Sequence, residues 1–290
     1  MKKILLASAA LALTGGMASA QGLTISGDAR MGVQYNGGGY AAHGGENWRL
    51  ESRTNLNFSA SVQGDHGLSF GAFWRVRQNN NMVGDFSGHR VWVEASGFRL
   101  TFGNQPGAVE AMGVTSIGSF GYTGGTFLSY GGLYNGDANT GLYTYDSFGP
   151  GYAQMIGVSY RMGDVQVGVT HVRDGDTEIA AQATFDAFTI AAGASNAAER
   201  FRTVSATYNG GNWAANVILS QYSGDNLVTV GGRADLGGGS AAAYVGRHAG
   251  NTVGGVSYRY GLGGGATIGA AVERNTARNT VAELGVIFSF

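Results

Sequence analysis

From Leu23 onward apolar and polar residues alternate with a period of two, the repeat of an extended strand whose successive side chains point to opposite faces. Leu23, Ile25, Ala29, Met31, Val33 and Tyr35 fall on one face, and Thr24, Ser26, Asp28, Arg30 and Gln34 on the other. The next segment repeats the pattern, with Trp48, Leu50, Leu56, Phe58, Ala60 and Val62 opposed to Arg49, Glu51, Arg53, Asn55 and Asn57. A third runs from Leu68 to Arg77 and sets Phe70, Trp74 and Val76 against Arg75 and Arg77. Similar segments follow at about 90–95, 98–104, 153–162, 165–172, 177–186, 188–195, 201–209, 213–222, 227–236, 240–248, 252–262, 266–273 and 280–290, sixteen in all.

Tight connections such as Gly64 to Gly67, Ser96-Gly97, Gly163-Asp164, Gly210-Gly211, Gly237 to Gly239 and Gly263 to Gly265 alternate with more variable ones at 36–46, 79–88, 196–200 and 274–279. Nine to eleven residues is the length a tilted strand needs to cross a bilayer, and alternating short and long turns mark an outer-membrane barrel. The pattern predicts an all-β fold, a sixteen-stranded antiparallel transmembrane β-barrel. A soluble sandwich shares the period but does not keep one face free of charge over sixteen strands. Aromatic residues support the barrel: Phe58 and Phe70 flank one short turn, Phe185 and Phe188 a second, Tyr208 and Trp213 a third, with Phe98, Tyr260 and Phe290 at equivalent ends. That is a girdle at one membrane interface.

Composition adds the compartment. Lys2 and Lys3 precede an apolar run from Ile4 to Leu13, and Ala18-Ser19-Ala20 has the small-x-small form of a leader cleavage site, so residues 1–20 read as a signal peptide and 21–290 as one barrel domain. Loss of the only two lysines leaves sixteen arginines against nineteen acids, a net charge of −3, which excludes a polybasic nucleic-acid binder. Charged residues make up only 13% of the chain and glycine 52 of its 290 residues, without a collagen period. With no cysteine in an exported chain, stability rests on a continuous hydrogen-bonded sheet.

One segment breaks the rhythm. Between Pro106 and about Gly151 lies a Gly- and Tyr-rich stretch far longer than an ordinary connection, the length of a functional loop. Gly141 to Phe148 alternates well enough to be a strand, but it would be the seventeenth, and single-chain bacterial barrels have even numbers. It is therefore read as the returning limb of the loop or an extension of the sixth strand.

The chain resembles the general diffusion porins of alphaproteobacteria. The resemblance rests on Leu23-Thr24-Ile25-Ser26-Gly27-Asp28-Ala29-Arg30-Met31-Gly32-Val33, on Gly103-Asn104-Gln105-Pro106-Gly107-Ala108-Val109-Glu110-Ala111 at the start of the long insertion, and on the closing Ala282-Glu283-Leu284-Gly285-Val286-Ile287-Phe288-Ser289-Phe290. It implies a homotrimer in outer-membrane lipid and a long third loop folded into the lumen as a constriction, about residues 106–151. The terminal Phe290 resembles the signature read by the barrel-insertion machinery.

Other motifs carry little chemistry. Gly67-Leu68-Ser69-Phe70-Gly71 matches the pattern of a nucleophile elbow, but it lies inside a regular alternating strand rather than at a strand-to-helix turn. The five histidines show no metal-ligand spacing, no glycine-rich stretch carries a P-loop lysine, and Asp174 to Glu178 reads as a solvated acidic turn, so no cofactor or metal is expected. The arginines are more informative. Arg30, Arg49, Arg53, Arg75, Arg77 and Arg90 all have inward parity on the first four strands, whereas no basic residue occurs between Arg99 and Arg161 and the loop carries Glu110, Asp137 and Asp146. Pairing the second and third strands around their turn puts Arg53 near Arg77 and Asn55 near Arg75, a like-charge cluster that asks for a reason. The reading is a water-filled channel for small hydrophilic solutes and ions with a cationic wall facing a negative loop, offset in part by inward Asp28, Glu51 and Glu94. Loop aromatics such as Phe120, Tyr122, Phe127, Tyr130, Tyr134, Tyr143 and Tyr145 leave a solute-specific channel as the alternative. An enzyme or adhesin on the same barrel has less support, because the reactive side chains are scattered and the loops short.

Overall fold

The computed structural model describes residues 22–41, 44–80, 84–116, 118–123, 154–173, 175–196, 201–222, 224–248 and 250–290. The leader at 1–20, Asp137, Asp146, Asp174, the alternation at 141–148 and the loop aromatics from Phe127 to Tyr145 lie outside these residues. The strands are β1 (Thr24–Tyr40), β2 (Glu46–Gln63), β3 (Ser69–Asn79), β4 (Asp85–Phe86), β5 (Arg90–Ala95), β6 (Phe98–Gly103), β7 (Met155–Met162), β8 (Val165–Val172) and β9 (Thr177–Phe185). They continue as β10 (Phe188–Ser195), β11 (Phe201–Asn209), β12 (Trp213–Tyr222), β13 (Asp225–Leu236), β14 (Gly239–His248), β15 (Asn251–Gly263), β16 (Ala266–Arg274) and β17 (Thr280–Ser289). A single helical turn, α1 (Ala108–Ala111), follows β6.

Apart from β4 and β5, each strand pairs antiparallel with its neighbours in sequence, and β1 pairs with β17 from Asp28↔Ser289 to Asn36↔Val281, so the sheet closes. Short β4 and β5 both pair with β3 and are two lengths of one stave, which makes the wall sixteen staves. Closure leaves no unpaired edge, the condition for strands to sit in lipid. The chain ends reinforce it: Phe290 N–H donates to Gly27 O at 3.0 Å, and Gly27 N–H donates to Phe290 O at 2.7 Å.

Parity decides what each face meets. Leu50 is 72% exposed and Val256 61%, while inward Gln34 and Glu178 are each 1% exposed. A continuous apolar exterior of this kind belongs in hydrocarbon, not water. Aromatics crowd the short-turn end, where Phe185 pairs with Phe188 and Tyr208 lies 4.8 Å from Phe188 and 5.0 Å from Trp213. The two-residue turn Ser96-Gly97 has φ of 50° and 83°, the left-handed pair that matches strand twist in a tight hairpin.

Two details differ from the reading of the sequence. β1 and β2 are 17 and 18 residues long and outrun the bilayer-length segments read there. The β2–β3 register is also two residues removed from the expected one: Asn55 faces Arg77, Asn57 faces Arg75, and Arg53 faces Asn79. The cause is the turn. Gln63 pairs with Ser69, so Leu68 lies in the connection, which holds a 3-10 turn at Asp65–Gly67 and His66 at a φ of 60°. The like-charge neighbours are instead Arg30 and Arg53, opposite each other across β1 and β2.

Candidate functional site

Among the described residues, the buried apolar side chains form no layer between sheets. They gather where the chain after β6 lies against the inner wall: Ala108, Val109 and Met112 pack with Ala180, Ala191 and Ile218, and Phe120 with Ala242, Tyr244, Val253 and Ala271. Residues 104–116 and 118–123 thus follow the wall from β7 round to β1. Hydrogen bonds fix the path at both ends. On the near side, Ala108 N–H donates to Thr170 Oγ1 at 3.0 Å and Val109 N–H to Glu178 Oε2 at 3.2 Å. Asn216 Nδ2 then donates to Ser116 O at 2.9 Å.

The far end is held by carboxylates. Thr123 donates to Glu283 through N–H at 3.2 Å and through Oγ1 at 2.7 Å. Tyr122 OH donates to Glu51 Oε2 at 3.1 Å, Arg30 forms an ion pair with the other oxygen of Glu51, and Arg30 also donates to Thr123 O at 3.2 Å. Burial, and then the Glu51 charge, raise the Tyr122 phenol above its ordinary range, so it stays a neutral donor. Next to it Phe120 meets Tyr244 edge-on at 5.4 Å, and Tyr244 OH donates to Glu273 at 2.8 Å.

Inward glycines mark the same track. A Cβ at Gly168 would come 2.7 Å from Met112 Cε, one at Gly193 2.7 Å from Val109 Cγ2, and one at Gly255 3.1 Å from the Phe120 ring. At Gly32, Gly269 and Gly285 it would strike Tyr122 at 2.7, 2.8 and 2.9 Å. Real Cβ atoms essentially never come within 3.0 Å and seldom as near as 3.1 Å, so the segment lies flat on the wall because these positions lack one. Four of the six belong to strands after β9, where small inward residues prevail.

The opposite part of the wall has the reverse character. On β2 to β5 the inward positions carry Arg49, Arg53, Arg75, Arg77 and Arg90. Amide and aromatic groups hold them: Arg77 Nε donates to Asn55 Oδ1 at 2.8 Å, Arg75 Nε to Asn57 Oδ1, and Arg49 Nε to Gln34 Oε1 at 2.8 Å. Arg90 lies 4.3 Å over the Phe73 ring, Arg75 5.5 Å from it, and Arg49 4.5 Å over Tyr40. Asn55 in turn donates to both oxygens of Asp28 at 2.8 and 2.9 Å. Arg30, grouped with these arginines in the sequence, is separate: it is 7% exposed and bound to Glu51 beneath the crossing segment. Glu110 sits on α1, directly after buried Val109.

Glu178, read from the sequence as the end of a solvated acidic turn, is instead a buried strand residue, 1% exposed, because the crossing segment covers it; the anchors Glu273 and Glu283 and the inward arginines Arg99, Arg233 and Arg259 were passed over. Their signal was available: a lone carboxylate at inward parity among small residues needs a partner once water is displaced. Ser69 of the elbow-like motif is a strand residue that donates to Gln63 Oε1 at 2.9 Å. Among the described residues no cluster of metal-ligating side chains occurs.

A wall of sixteen staves, apolar outside and polar inside, with a segment laid along its inner face, is matched by relatives. The profile of the Gram-negative porins covers residues 7–283. The chain belongs to that family. A porin of Fuscovulum blasticum is 26% identical over 303 residues, spanning 92% of this chain and all of that one. A porin of Rhodobacter capsulatus is 32% identical over 183 residues, 58% of this chain and 54% of that protein. Among solved structures, a triple mutant of the Rhodopseudomonas blastica porin superposes with a TM-score of 0.80 at 21% identity, over 93% of this chain and all of the other, and shares the fold. This porin is accordingly a diffusion channel of the outer membrane of a Gram-negative bacterium, and its relatives are channels rather than enzymes.

Proposed function

We propose that residues 104–123, with the remainder of the 106–151 loop, form the constriction of a passive pore for small hydrophilic solutes and ions. The observation that carries this is the division of the inner wall: one side seats the segment on glycines and buried carboxylates, and the other presents Arg53, Arg75, Arg77 and Arg90 across the remaining opening. The acids of the loop, Glu110, Asp137 and Asp146, supply the negative side. Arg49 extends the positive wall outward, and Arg30 joins it only through its pair with Glu51. Opposed walls of charge order water and attract both ends of a dipolar solute, so zwitterions pass and apolar molecules are disfavoured. Ion selectivity is weak, because Asp28, Glu51 and Glu94 offset the arginines.

Delivery follows the same reading. The leader is cut after Ala20, Phe290 presents the chain to the insertion machinery, the short turns face the periplasm, and the product is a homotrimer whose contact face is the bulky exterior of β1 to β6. Single-channel recording with graded neutral sugars tests the function. A smooth decline of sugar access with size is expected, and block by one sugar alone would replace the general pore with a solute-specific one.

A further inference from the structure

A recess of about 280 Å³ lies between the inner wall and the near end of the crossing segment. Pro106, Ala108, Ala111 and Met112 roof it, and its wall descends from Arg90 to Arg99 and Gln166, within three residues of the short turns at Ser96-Gly97 and Gly163-Asp164. Apart from these arginines and Gln166, its polar lining consists of Thr101, Gln105, Ser159 and Thr170. Two of these groups also seat the segment: Thr170 accepts from Ala108 N–H, and Gln105 donates to Thr101 O at 3.3 Å.

Two features give the recess a chemistry. The first is a flat apolar floor: Trp92 points inward on β5, and because its partner Gly71 has no Cβ, the indole lies against β3. The second is the charge balance. Arg99 stands 4.9 Å over the indole, and Glu94 neutralises it at 2.6 Å. Arg90 makes no ion pair among the described residues and rests only on Phe73. The recess therefore offers one uncompensated guanidinium at its upper end, apolar surface from Trp92, Met112 and Pro106, and amides at Gln105 and Gln166. A guanidinium favours a planar carboxylate, which it can meet with two parallel hydrogen bonds. The indole and thioether favour a flat ring. A bare inorganic anion would leave the apolar roof unused, and a neutral sugar the charge.

We infer that this recess is a binding subsite for small aromatic carboxylates, entered from the side of the short turns. The inference rests on the reading of 104–123 as the constriction, below which the recess lies. Sodium benzoate is the probe, added to one side of a planar bilayer holding single channels in chloride. A saturable fall in conductance is expected, stronger from the short-turn side, while acetate and benzyl alcohol at equal concentration produce none. Arg90→Gln and Trp92→Ala should each weaken the benzoate effect at least tenfold, Trp92→Phe should keep it, and Arg233→Gln on the far wall should leave its concentration dependence in place. A benzoate response no different from that of acetate would overturn the subsite, and so would equal loss in Arg233→Gln and Arg90→Gln, which would mean a response to overall charge. Failure of the underlying reading looks different: sugars then show no size limit, whatever benzoate does.

Discussion

The two halves of the inner wall are built from the same alternating strands and do opposite things. On β2 to β6 the inward side chains are long, cationic and held by one another, as in Arg77 on Asn55 and Arg90 over Phe73. From β7 onward most are small, Arg233 and Arg259 being exceptions, and carboxylates meet the crossing segment, as where Glu178 accepts from Val109 N–H and Glu283 from Thr123. A surface that must present charge to water needs side chains with their own internal partners. A surface that must receive another piece of chain needs the absence of side chains, with an acceptor at each point where a backbone donor arrives.

The largest effect should come from removing an anchor of the seated side. Glu283→Ala deletes the acceptor for both donors of Thr123, and hydrogen bonds to a charged group are worth about 1.5–3 kcal/mol each. The end of the segment should then leave the wall often enough to raise open-channel current noise and mean conductance, read in single-channel records. Unchanged noise would mean that the remaining Tyr122 contacts suffice. Close in size is Glu51→Gln, which leaves Arg30 buried without its counter-ion. Breaking such a pair costs about 3–5 kcal/mol, so the folded barrel should convert to its unfolded form on a gel at lower temperature.

On the cationic side, replacing Arg53 and Arg77 by glutamine should shift the reversal potential in a salt gradient toward cations. A unit charge contributes about 1 kcal/mol at 4 Å in water, roughly a five-fold change in local anion concentration before salt screening. The fold should survive, since the change relieves the repulsion between Arg30 and Arg53. An untouched reversal potential would place these arginines away from the narrow section. The smallest effect belongs to Arg99→Gln, which breaks an exposed pair with Glu94 and should alter thermal stability by less than about 1 kcal/mol, within the spread of repeat melting measurements.

What the sequence disclosed divides along the same line. Strand number, the parity that turns the arginines of β2 to β5 inward, and the short turns were legible because a strand in lipid must repeat its pattern every two residues, as from Met31 to Tyr35 and from Trp48 to Leu50. The β2–β3 register was not, because sliding β3 past β2 by two residues leaves the hydrophobic pattern of both strands intact, and only the geometry of the connection at Gly64 to Leu68 chooses between the two registers. The path of the crossing segment was hidden for another reason. Glycines at 32, 168, 193, 255, 269 and 285 look like any others among the chain's 52, and only three-dimensional adjacency turns them into a track. The carboxylates could have been suspected: Glu283 sits at inward parity between Val281 and Gly285, with no basic residue beside it on its own strand.

The chain has no cysteine, so single thiols can be placed on each half of the wall and their reaction with a small charged methanethiosulfonate followed as current steps in a bilayer. Arg77→Cys lies on the open cationic side. Ala271→Cys shares the same inward parity, but Ala271 is 4% exposed and packs beneath Phe120. With the segment held by bonds of about 3 kcal/mol or more in sum, the thiol at 271 should react roughly a hundred-fold more slowly than the one at 77. Equal rates at the two positions would contradict the claim that residues 104–123 cover one half of the lumen and leave the other to the passing solute.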